Sequence, residues 1–369
     1  MRIDVIEVYL ARMSLTSPWR AGHGDEAAIE SVFVKIVSGK LAGWGESTPF
    51  ATPTYSPEWA QGVFLMVSRY LAPLLLGDDI HSGKDLQALL SPVKGNYFAK
   101  ASLDQAWWDL YARLRSEPLW KTLGGKTSTV RVGADFGVKD TIAELLAAVE
   151  GAMRAGYLRV KLKYRPGWAL EIVEAVRSAF PEGVFHIDCN STYTLSDLAM
   201  FKALDGQRLA MIEQPLMYDD LLDHAALQRE LNTPICLDES VTSAAKARKA
   251  IALKSCGWIN IKPGRVGGLT NALEIHDLCL EAGMPCWVGG MLESSLGAHQ
   301  CLALATLPNF TYPNDISPSE KYYKSDLSDP PIILSGISEI TAPDTPGCGA
   351  EPNPRRLREA CIAQEIIAR

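Results

Sequence analysis

The sequence predicts an α/β protein built on a modified, TIM-like (β/α) barrel, with an α+β capping domain formed by the N-terminal region and the C-terminal tail. Two observations support this fold class. From about residue 130 onward, short β-rich runs alternate with amphipathic helical segments about every 25 residues, which is the pattern of successive parallel β/α units. Before residue 125, antiparallel-type strands come first and helices follow, an order typical of an α+β domain.

The capping domain is expected to span residues 1–125. Its N-terminus, MRIDVIEVYLARMSL, alternates apolar and polar residues as a strand does, and the runs IESVFVKIVSG and LAGWGEST continue as strands of an antiparallel type. The segment AKASLDQAWWDLYARLRS then follows as a helix. Residues 321–369 are rich in Pro, Ser and Asp and contain short strand-like pieces such as PIILSGISEI. We expect this tail to pack back on the capping domain.

The barrel is expected to span residues 126–320. Its β-rich runs, the last of them the least clear, are VRVGADFGV, LRVKLKY, VFHIDCN, MIEQP, PICLDES, WINIKP, PCWVGG and FTYPND. Amphipathic segments such as TIAELLAAVEGAMRAG lie between them, with apolar residues at helical spacing and Gly where the helix should stop. Seven or eight such units indicate a parallel barrel, although an open doubly wound sheet gives a similar local pattern.

Composition narrows the class of partner. The chain has 369 residues and a formal net charge of -7, with no basic run that would indicate binding to nucleic acid or to an anionic membrane. It contains neither a signal-peptide pattern nor a stretch of about 20 apolar residues that could cross a bilayer. Eight cysteines are scattered singly, without a CxxC pair, which favours reduced thiols. We therefore expect a cytoplasmic protein with a small-molecule partner.

Five charged residues stand at the carboxyl ends of successive barrel strands. They are Lys163, Asp188, Glu213, Asp238 and Lys262, separated by 25, 25, 25 and 24 residues. In a β/α barrel these strand ends surround one cavity, where the active sites of this architecture lie. The sequence therefore predicts that the five side chains converge.

Three carboxylates on adjacent strands would repel one another strongly in a partly desolvated cavity unless a divalent cation lies between them. Ligation by oxygen alone suits a hard ion, and three protein ligands leave positions for water or substrate. Asp188, Glu213 and Asp238 are therefore candidate ligands of Mg²⁺, with Mn²⁺ as the next candidate.

The two lysines are candidate acid/base groups on opposite sides of such a metal. Burial and neighbouring cations each lower the pKa of a lysine and so favour a neutral amine that can accept a proton. Lys161 lies on the same strand face as Lys163, because residues i and i+2 point the same way. It either lowers the pKa of Lys163 or binds an anionic substrate oxygen. A lysine beside Mg²⁺ is suited to remove a proton next to a carboxylate through an enediolate.

Other interpretations compete with this one. Any one of the five charged residues, taken alone, is better explained as a solvated loop residue or a helix cap. A Schiff-base aldolase also places a lysine on a barrel strand, and a barrel that binds a ligand without catalysis is a third possibility. His186 and Cys189 are interpreted as ordinary strand residues, because no second Cys/His pair at zinc spacing accompanies them.

At these residues the sequence resembles the enolase superfamily, and within it the muconate-lactonizing subgroup, over nearly the whole chain. RVKLKYRPGW resembles the KxK motif whose second lysine, here Lys163, is the acid/base of the family. HIDCNSTYTLSD, MIEQPL and CLDES resemble the segments that hold the three metal ligands, and INIKPGRVGGL resembles the segment with the opposing lysine, Lys262. The resemblance implies a Mg²⁺-dependent lyase or isomerase and a homo-oligomer.

Within the subgroup, NSTYTLSD, GGMLESSLG and LATLPNFTYPNDIS are most similar to the o-succinylbenzoate synthases and the related N-acylamino acid racemases. The first activity is a syn dehydration of a cyclohexadiene carboxylate in menaquinone biosynthesis. In that dehydration Lys163 would take the α-proton and return it to the departing hydroxyl, while Lys262 would stabilise the enediolate. In racemisation the two lysines would act on opposite faces of one carbon. Muconate-type cycloisomerase and dipeptide epimerase are further alternatives.

The resemblance also assigns residues around the substrate. SPWRAGHGDE would be a mobile loop that covers the substrate, and ESTPFATPTYSPE a second such loop. The candidate substrate-binding residues are Lys161, Asp135, Asn190, Met291, Glu293 and Ser294. Three positions depart from the family pattern: Asp135 stands where a small or hydroxylated residue is usual, Ala298 where synthases often have Arg, and Cys189, a small change, where Ala is common. Asp135 would favour a cationic or hydroxylated substrate, and none of these changes touches the proton-transfer residues.

Overall fold

A computed structural model describes residues 1–21, 24–167 and 170–368 of the chain. It has fifteen strands and thirteen α-helices in these residues. The strands are β1 Val5–Ala21, β2 Gly24–Ser38, β3 Leu41–Ser47, β4 Thr129–Arg131, β5 Ala134–Phe136, β6 Val160–Lys163, β7 Phe185–Asp188, β8 Ile212–Glu213, β9 Ile235–Leu237, β10 Trp258–Ile261, β11 Cys286–Val288, β12 Ser328–Asp329, β13 Glu339–Thr341, β14 Glu351–Pro352 and β15 Cys361–Ala368. The helices are α1 Ala60–Met66, α2 Gly83–Leu90, α3 Tyr97–Leu114, α4 Leu119–Thr122, α5 Ile142–Arg154, α6 Leu170–Ala179, α7 Leu198–Asp205, α8 Leu222–Glu230, α9 Ala244–Leu253, α10 Pro263–Val266, α11 Leu269–Glu281, α12 Ser295–Ala305 and α13 Pro354–Ala360.

The capping domain is an antiparallel sheet in the order β15-β1-β2-β3, with α3 packed against β3. This close packing requires glycine: a Cβ atom on Gly45 would lie 2.2 Å from the carbonyl oxygen of Ser102 on α3, and one on Gly43 would lie 2.3 Å from the amide nitrogen of Leu110. Two glycines on β3 therefore bring the sheet and the helix into backbone contact. The next residue, Glu46, carries a carboxylate into the interface with the barrel.

Seven parallel strands, in the order β5-β6-β7-β8-β9-β10-β11, form the wall of the barrel. The segment FTYPND closes it, because Phe310 bridges to Cys286 of β11 on one side and Asn314 bridges to Val132, just before β5, on the other. These bridges are parallel. The chain is therefore a closed barrel with a cap, as the sequence predicts, and the open doubly wound sheet is excluded.

Side-chain caps mark where the barrel helices α5 and α9 begin. The hydroxyl of Thr141 accepts a hydrogen bond from the backbone N–H of Glu144 at the start of α5, and that of Ser243 accepts one from Lys246 at the start of α9. Such N-caps satisfy amide groups that have no partner inside the helix.

The C-terminal segment packs on both parts of the molecule. β15 pairs antiparallel with β1, so the last strand completes the cap sheet. β13 pairs instead with β4, at the entry to the barrel. The strand expected from PIILSGISEI is limited to Glu339–Thr341, and the side chains of Ile333 and Ile337 are exposed. In the described residues, no helix is both long and apolar enough to span a bilayer.

Candidate active site

The parallel register places the charged strand ends side by side. Lys163 of β6 pairs with Asp188 of β7, and Asp188 pairs with Glu213 of β8. Asp238 and Lys262 directly follow β9 and β10. Because neighbouring strands lie about 4.8 Å apart, consecutive strands bring their terminal side chains within contact distance. The structure thus brings together all five residues that the sequence predicts to converge.

Lys161 and Lys163 contact the first carboxylates of this set. The Lys161 Nζ lies 2.9 Å from Asp188 Oδ2 and 2.8 Å from Glu213 Oε2. The Lys163 Nζ lies 2.7 Å from Asp188 Oδ2 and donates a hydrogen bond to Asn190 Oδ1 at 2.9 Å. All of these side chains are buried. Asp188 therefore joins the two lysines of the KxK run.

Asp238 and Lys262 form the opposite side of the site. The Lys262 Nζ donates to Asp238 Oδ2 at 2.8 Å and to the hydroxyl of Tyr55, from the capping domain, at 3.1 Å. Asp238 also forms an ion pair with Arg265, which follows Lys262 by three residues on α10. Lys262, one of the two candidate acid/base lysines, thus has a hydrogen-bond partner in the capping domain.

Asn190 and Glu239 connect the two sides. The Asn190 amide donates to Asp188 Oδ2 and to Glu239 Oε1, in each case at 3.3 Å. Glu239 is buried, and among the described residues its Oε2 has no hydrogen-bond partner. Burial and the neighbouring charge of Asp188 raise the pKa of Glu239 to about 7. A fourth buried carboxyl group therefore adjoins the three that the sequence singled out.

The neighbouring charges determine the ionisation of this cluster. Burial alone would raise the pKa of Asp188, but the ammonium groups of Lys161 and Lys163 hold it well below its usual range. Burial and Asp188 would likewise raise the pKa of Glu213, but Lys161 and His186 lower it. Both carboxyl groups are thus ionised in the neutral pH range.

The pKa of Lys262 is not lowered as predicted, and the pKa of Lys161 in the same cluster is raised as well. Burial lowers the pKa of Lys161, but Asp188, Glu213 and Asp315 outweigh it, and the pKa lies well above its usual value. Burial also lowers the pKa of Lys262, whereas Tyr55, Glu239 and Glu213 raise it, and the net shift is upward. In the described structure, the neighbouring acidic groups, which at Lys262 include the phenol of Tyr55, together outweigh desolvation at both residues.

The charged cluster opens on a cavity between barrel and cap. Of the predicted site residues, those that line it are Lys161, Lys163, Lys262, Asp135, Asn190, Met291 and Glu293. Asp135 is ion-paired with Lys321, so its charge is already balanced within the protein. Glu293 accepts a hydrogen bond from the backbone N–H of Met291 at 2.8 Å and so holds the chain that forms this wall.

Ser294 is placed differently from the other predicted substrate-binding residues. It is fully buried and is not part of the cavity lining. Its hydroxyl contacts Glu46 Oε2 at 2.6 Å and the hydroxyl of Ser328 at 2.9 Å, and it caps α12. The structure gives this side chain a role in joining the cap to the barrel.

The cap covers the cavity with two segments. Trp19 of β1 and Phe50 and Tyr55 of the second cap loop, residues 48–59, belong to the cavity wall. The first loop predicted from SPWRAGHGDE is mostly strand, since β1 extends to Ala21 and β2 begins at Gly24. Gly22 and His23, at its centre, lie outside the described residues.

The sequence interpretation missed several residues of this site. Asp315, at the end of the eighth barrel segment, lies 3.3 Å from Lys161 Nζ and is ion-paired with Arg159. It is the last polar residue of FTYPND. The search for charged residues at the carboxyl ends of the barrel strands would have found it if that run had been a clear strand. Tyr55 and Glu239 stand within segments that the sequence interpretation quoted, but neither has the spacing of a catalytic motif. Lys321 comes from the C-terminal segment and has no local signal.

His186 and Cys189, which the sequence interpretation treats as ordinary strand residues, are both buried. The imidazole of His186 is buried between Glu213 Oε2, at 3.3 Å, and the hydroxyl of Tyr312, at 3.1 Å. Burial lowers its pKa despite the contact with Glu213, which favours the neutral ring. Cys189 is a buried free thiol.

The donor set suits a hard divalent cation. Asp188, Glu213 and Asp238 supply only oxygen ligands from three adjacent strands, the ligand type that Mg²⁺ prefers. Among the described residues, no three acidic, His or Cys side chains stand at ligand spacing. Lysine ammonium groups contact Asp188, Glu213 and Asp238 in this arrangement. The buried Glu239 Oε2, which has no hydrogen-bond partner in the described part of the chain, indicates that the cluster has acceptor capacity left over.

A capped barrel whose strand ends carry two lysines and three carboxylates defines a class of enzymes that transfer protons beside a carboxylate. Residues 144–356 match the family model described as Enolase C-terminal domain-like. Residues 5–124 match that of the mandelate racemase / muconate lactonizing enzyme N-terminal domain. The chain belongs to the enolase superfamily and is an enzyme of its lyase and isomerase kind.

Individual relatives resemble the chain over its full length. It is 42% identical to an o-succinylbenzoate synthase from Geobacillus stearothermophilus, over 97% of this chain and 95% of the relative. It is 40% identical to an N-succinylamino acid racemase from Amycolatopsis sp, over 100% of both chains. The solved structure of an enolase superfamily member from Listeria innocua superposes with a TM-score of 0.96 at 33% identity, over 100% of this chain and 99% of that one.

Proposed function

We propose that the protein is an o-succinylbenzoate synthase, which removes the proton α to a substrate carboxylate and expels a hydroxyl group in menaquinone biosynthesis. The observation that carries the proposal is that Lys163 and Lys262 line one cavity while each contacts a different carboxylate, Asp188 or Asp238. Two lysines placed in this way provide one group to move the proton and another to stabilise the charge that develops.

The residues then have distinct tasks. Asp188, Glu213 and Asp238 would hold Mg²⁺, or Mn²⁺ in its place, and the ion would supply positive charge to stabilise a substrate carboxylate. Lys163 takes the α-proton and returns it to the departing hydroxyl. Lys262 remains protonated and stabilises the enediolate as a cation. Lys161, held by Asp188, Glu213 and Asp315, keeps a fixed positive charge that faces the substrate carboxylate.

A second candidate function is racemisation of N-succinylamino acids. It is favoured by the second lysine of the cavity, because a racemase needs a proton donor and acceptor on each face of the carbon. One relative at 40% identity over the full chain carries that name. A cytoplasmic location, a homo-oligomeric assembly and a small carboxylate as the substrate stay predictions from the sequence.

The experiment is a substrate panel in deuterated water with Mg²⁺, followed by ¹H NMR and mass spectrometry. The panel contains the cyclohexadiene carboxylate, N-succinyl and N-acetyl amino acids, dipeptides and muconate. We expect turnover of the cyclohexadiene carboxylate, together with α-proton exchange of the N-succinyl compounds. Lys163→Ala should abolish dehydration, since it removes the base, whereas Lys249→Ala, on the exposed face of α9, serves as a matched control.

The outcomes separate the alternatives. Dehydration that persists in Lys163→Ala or in EDTA contradicts the role given to Lys163 or to the metal. Exchange and inversion of N-succinylamino acids without dehydration would instead identify a racemase. A borohydride-trapped substrate adduct formed without metal would indicate a Schiff-base aldolase, and ligand binding without turnover or exchange would indicate a non-catalytic barrel.

A further inference from the structure

Tyr55 is a buried cap residue that reaches into the barrel's charged cluster. It belongs to the second cap loop, is 6% exposed, and its ring packs edge-on against Phe50 with the ring centres 5.9 Å apart. The loop itself has no helix or strand. The position of the phenol therefore depends on how the loop sits on the barrel.

The hydroxyl of Tyr55 contacts three barrel groups, of which Arg265 Nη1 is the most distant donor, at 3.5 Å. It accepts a hydrogen bond from Lys262 Nζ at 3.1 Å and donates one to Asp238 Oδ2 at 3.3 Å. The Lys262 Nζ also lies 4.8 Å from the centre of the Tyr55 ring, within the range of a cation–π contact. Two features of one cap side chain, the hydroxyl and the ring, thus fix the direction of this ammonium group.

Lys163 has a different environment. Its Nζ contacts Asp188 Oδ2 and Asn190 Oδ1, both of which belong to the barrel segment around β7. The two lysines of the cavity are therefore not equivalent, because Lys163 is oriented within the barrel whereas Lys262 shares its orientation with the cap.

We propose that Tyr55 is a positioning residue for Lys262, so that proton transfer on the Lys262 face of the substrate depends on the second cap loop while transfer on the Lys163 face does not. This inference rests on the proposed function and deepens it. A lysine that loses its second anchor keeps its charge but spends less time in the geometry that proton transfer requires.

The test uses the two enantiomers of N-succinylphenylalanine in deuterated water with Mg²⁺ and the full chain. Lys163→Ala and Lys262→Ala first identify which enantiomer each lysine deprotonates. Tyr55→Phe, which keeps the ring and removes the hydroxyl, is expected to slow α-proton exchange about tenfold for the Lys262 enantiomer. Exchange of the Lys163 enantiomer should change by less than about twofold. Circular dichroism establishes that the variant is folded.

Two further variants provide controls. Asn190→Ala removes a hydrogen-bond partner of Lys163 and should show the opposite preference, with the larger loss for the Lys163 enantiomer. Ser56→Ala changes the neighbouring cap residue, whose hydroxyl contacts Glu58, and should leave the ratio of the two exchange rates unchanged. Equal losses for both enantiomers in Tyr55→Phe would overturn the inference and indicate a general structural role.

A second measurement needs no substrate. Acetylation by N-hydroxysuccinimidyl acetate, followed by peptide mass spectrometry, reports how freely each lysine moves and reacts. We expect Tyr55→Phe to raise the labelling rate of Lys262 several-fold relative to Lys163, and an unchanged ratio would contradict the positioning role. If the wild-type protein neither dehydrates the cyclohexadiene carboxylate nor exchanges either enantiomer while this labelling shift occurs, the proposed function fails and the contact between Tyr55 and Lys262 stands.

Discussion

Lys161 shows what can be predicted at the scale of one residue. Strand alternation places it on the face of Lys163, and the structure confirms that both side chains enter the same cavity. Its third partner, Asp315, is 154 residues away in the chain. That contact exists only because the eighth segment closes the barrel, and no local sequence pattern predicts it. Positions on a strand were thus predictable from the sequence, while partners from distant segments were not.

Glu46 is a buried carboxyl group for which the structure makes a pH prediction. It accepts hydrogen bonds from the amides of Ser294 and Gly297, both at 2.9 Å. Burial raises its pKa to about 7, although these hydrogen bonds act in the opposite direction. The pKa of Glu46 is higher in the folded protein than in the unfolded chain. Protonation of Glu46 therefore stabilises the folded state fully below pH 4.5, and this stabilisation is lost as the pH rises through about 7.

We therefore expect Glu46→Gln to be less stable than the wild type at pH 5, since an amide nitrogen cannot accept the bond from Gly297. The difference in unfolding free energy between the wild type and Glu46→Gln should become smaller by about 3 kcal/mol or less between pH 5 and pH 8. Urea unfolding followed by circular dichroism measures it. Glu281→Gln, at an exposed position, provides the matched control. Parallel pH profiles for the wild type and Glu46→Gln would show that this carboxyl does not titrate between the two states.

At the scale of elements, two glycines predict opposite effects of the same substitution. Gly45→Ala would force β3 away from α3, because the new methyl group meets the backbone oxygen of Ser102 at 2.2 Å. Gly151 lies on the exposed side of α5, and a methyl group there meets nothing within 4 Å. We expect Gly45→Ala to cost about 3 kcal/mol and Gly151→Ala to stabilise by about 0.5–1 kcal/mol.

Thermal unfolding of the two glycine variants measures these effects. Because Glu46 follows Gly45 directly, Gly45→Ala should also weaken the contact between cap and barrel. A neutral effect of Gly45→Ala would mean that β3 and α3 can separate at little cost. A loss of stability in Gly151→Ala would show that the glycine in α5 has a role that its open surroundings do not reveal.

For the whole molecule, the barrel and its five charged strand ends followed from the sequence because alternation and spacing are local and repeated. The sequence left the choice between a closed barrel and an open sheet undecided. Closure depends on Phe310, which bridges to Cys286 in the last barrel strand, and on Asn314, which bridges to Val132 just before the first. The second hydrogen-bond partner of Lys262 could not be predicted from the sequence either. Tyr55 lies 207 residues from it in sequence, on a loop without regular structure.

The last prediction concerns how a divalent cation would change the stability of the whole protein. Buried carboxylates that bind Mg²⁺ only when the chain is folded link binding to unfolding, and a concentration 100 times the dissociation constant adds about 2.7 kcal/mol. After treatment with EDTA, adding Mg²⁺ should therefore raise the wild-type melting temperature by about 3–4 °C. Glu213→Gln should reduce that rise strongly, whereas Asp344→Asn, at a site on the surface where the carboxylate pairs with Lys121, should keep it. Differential scanning fluorimetry measures all three proteins, and K⁺ at equal ionic strength controls for screening. A rise of the same size in Glu213→Gln would place the bound ion elsewhere, and no rise in the wild type would contradict a structural contribution from the proposed ligands.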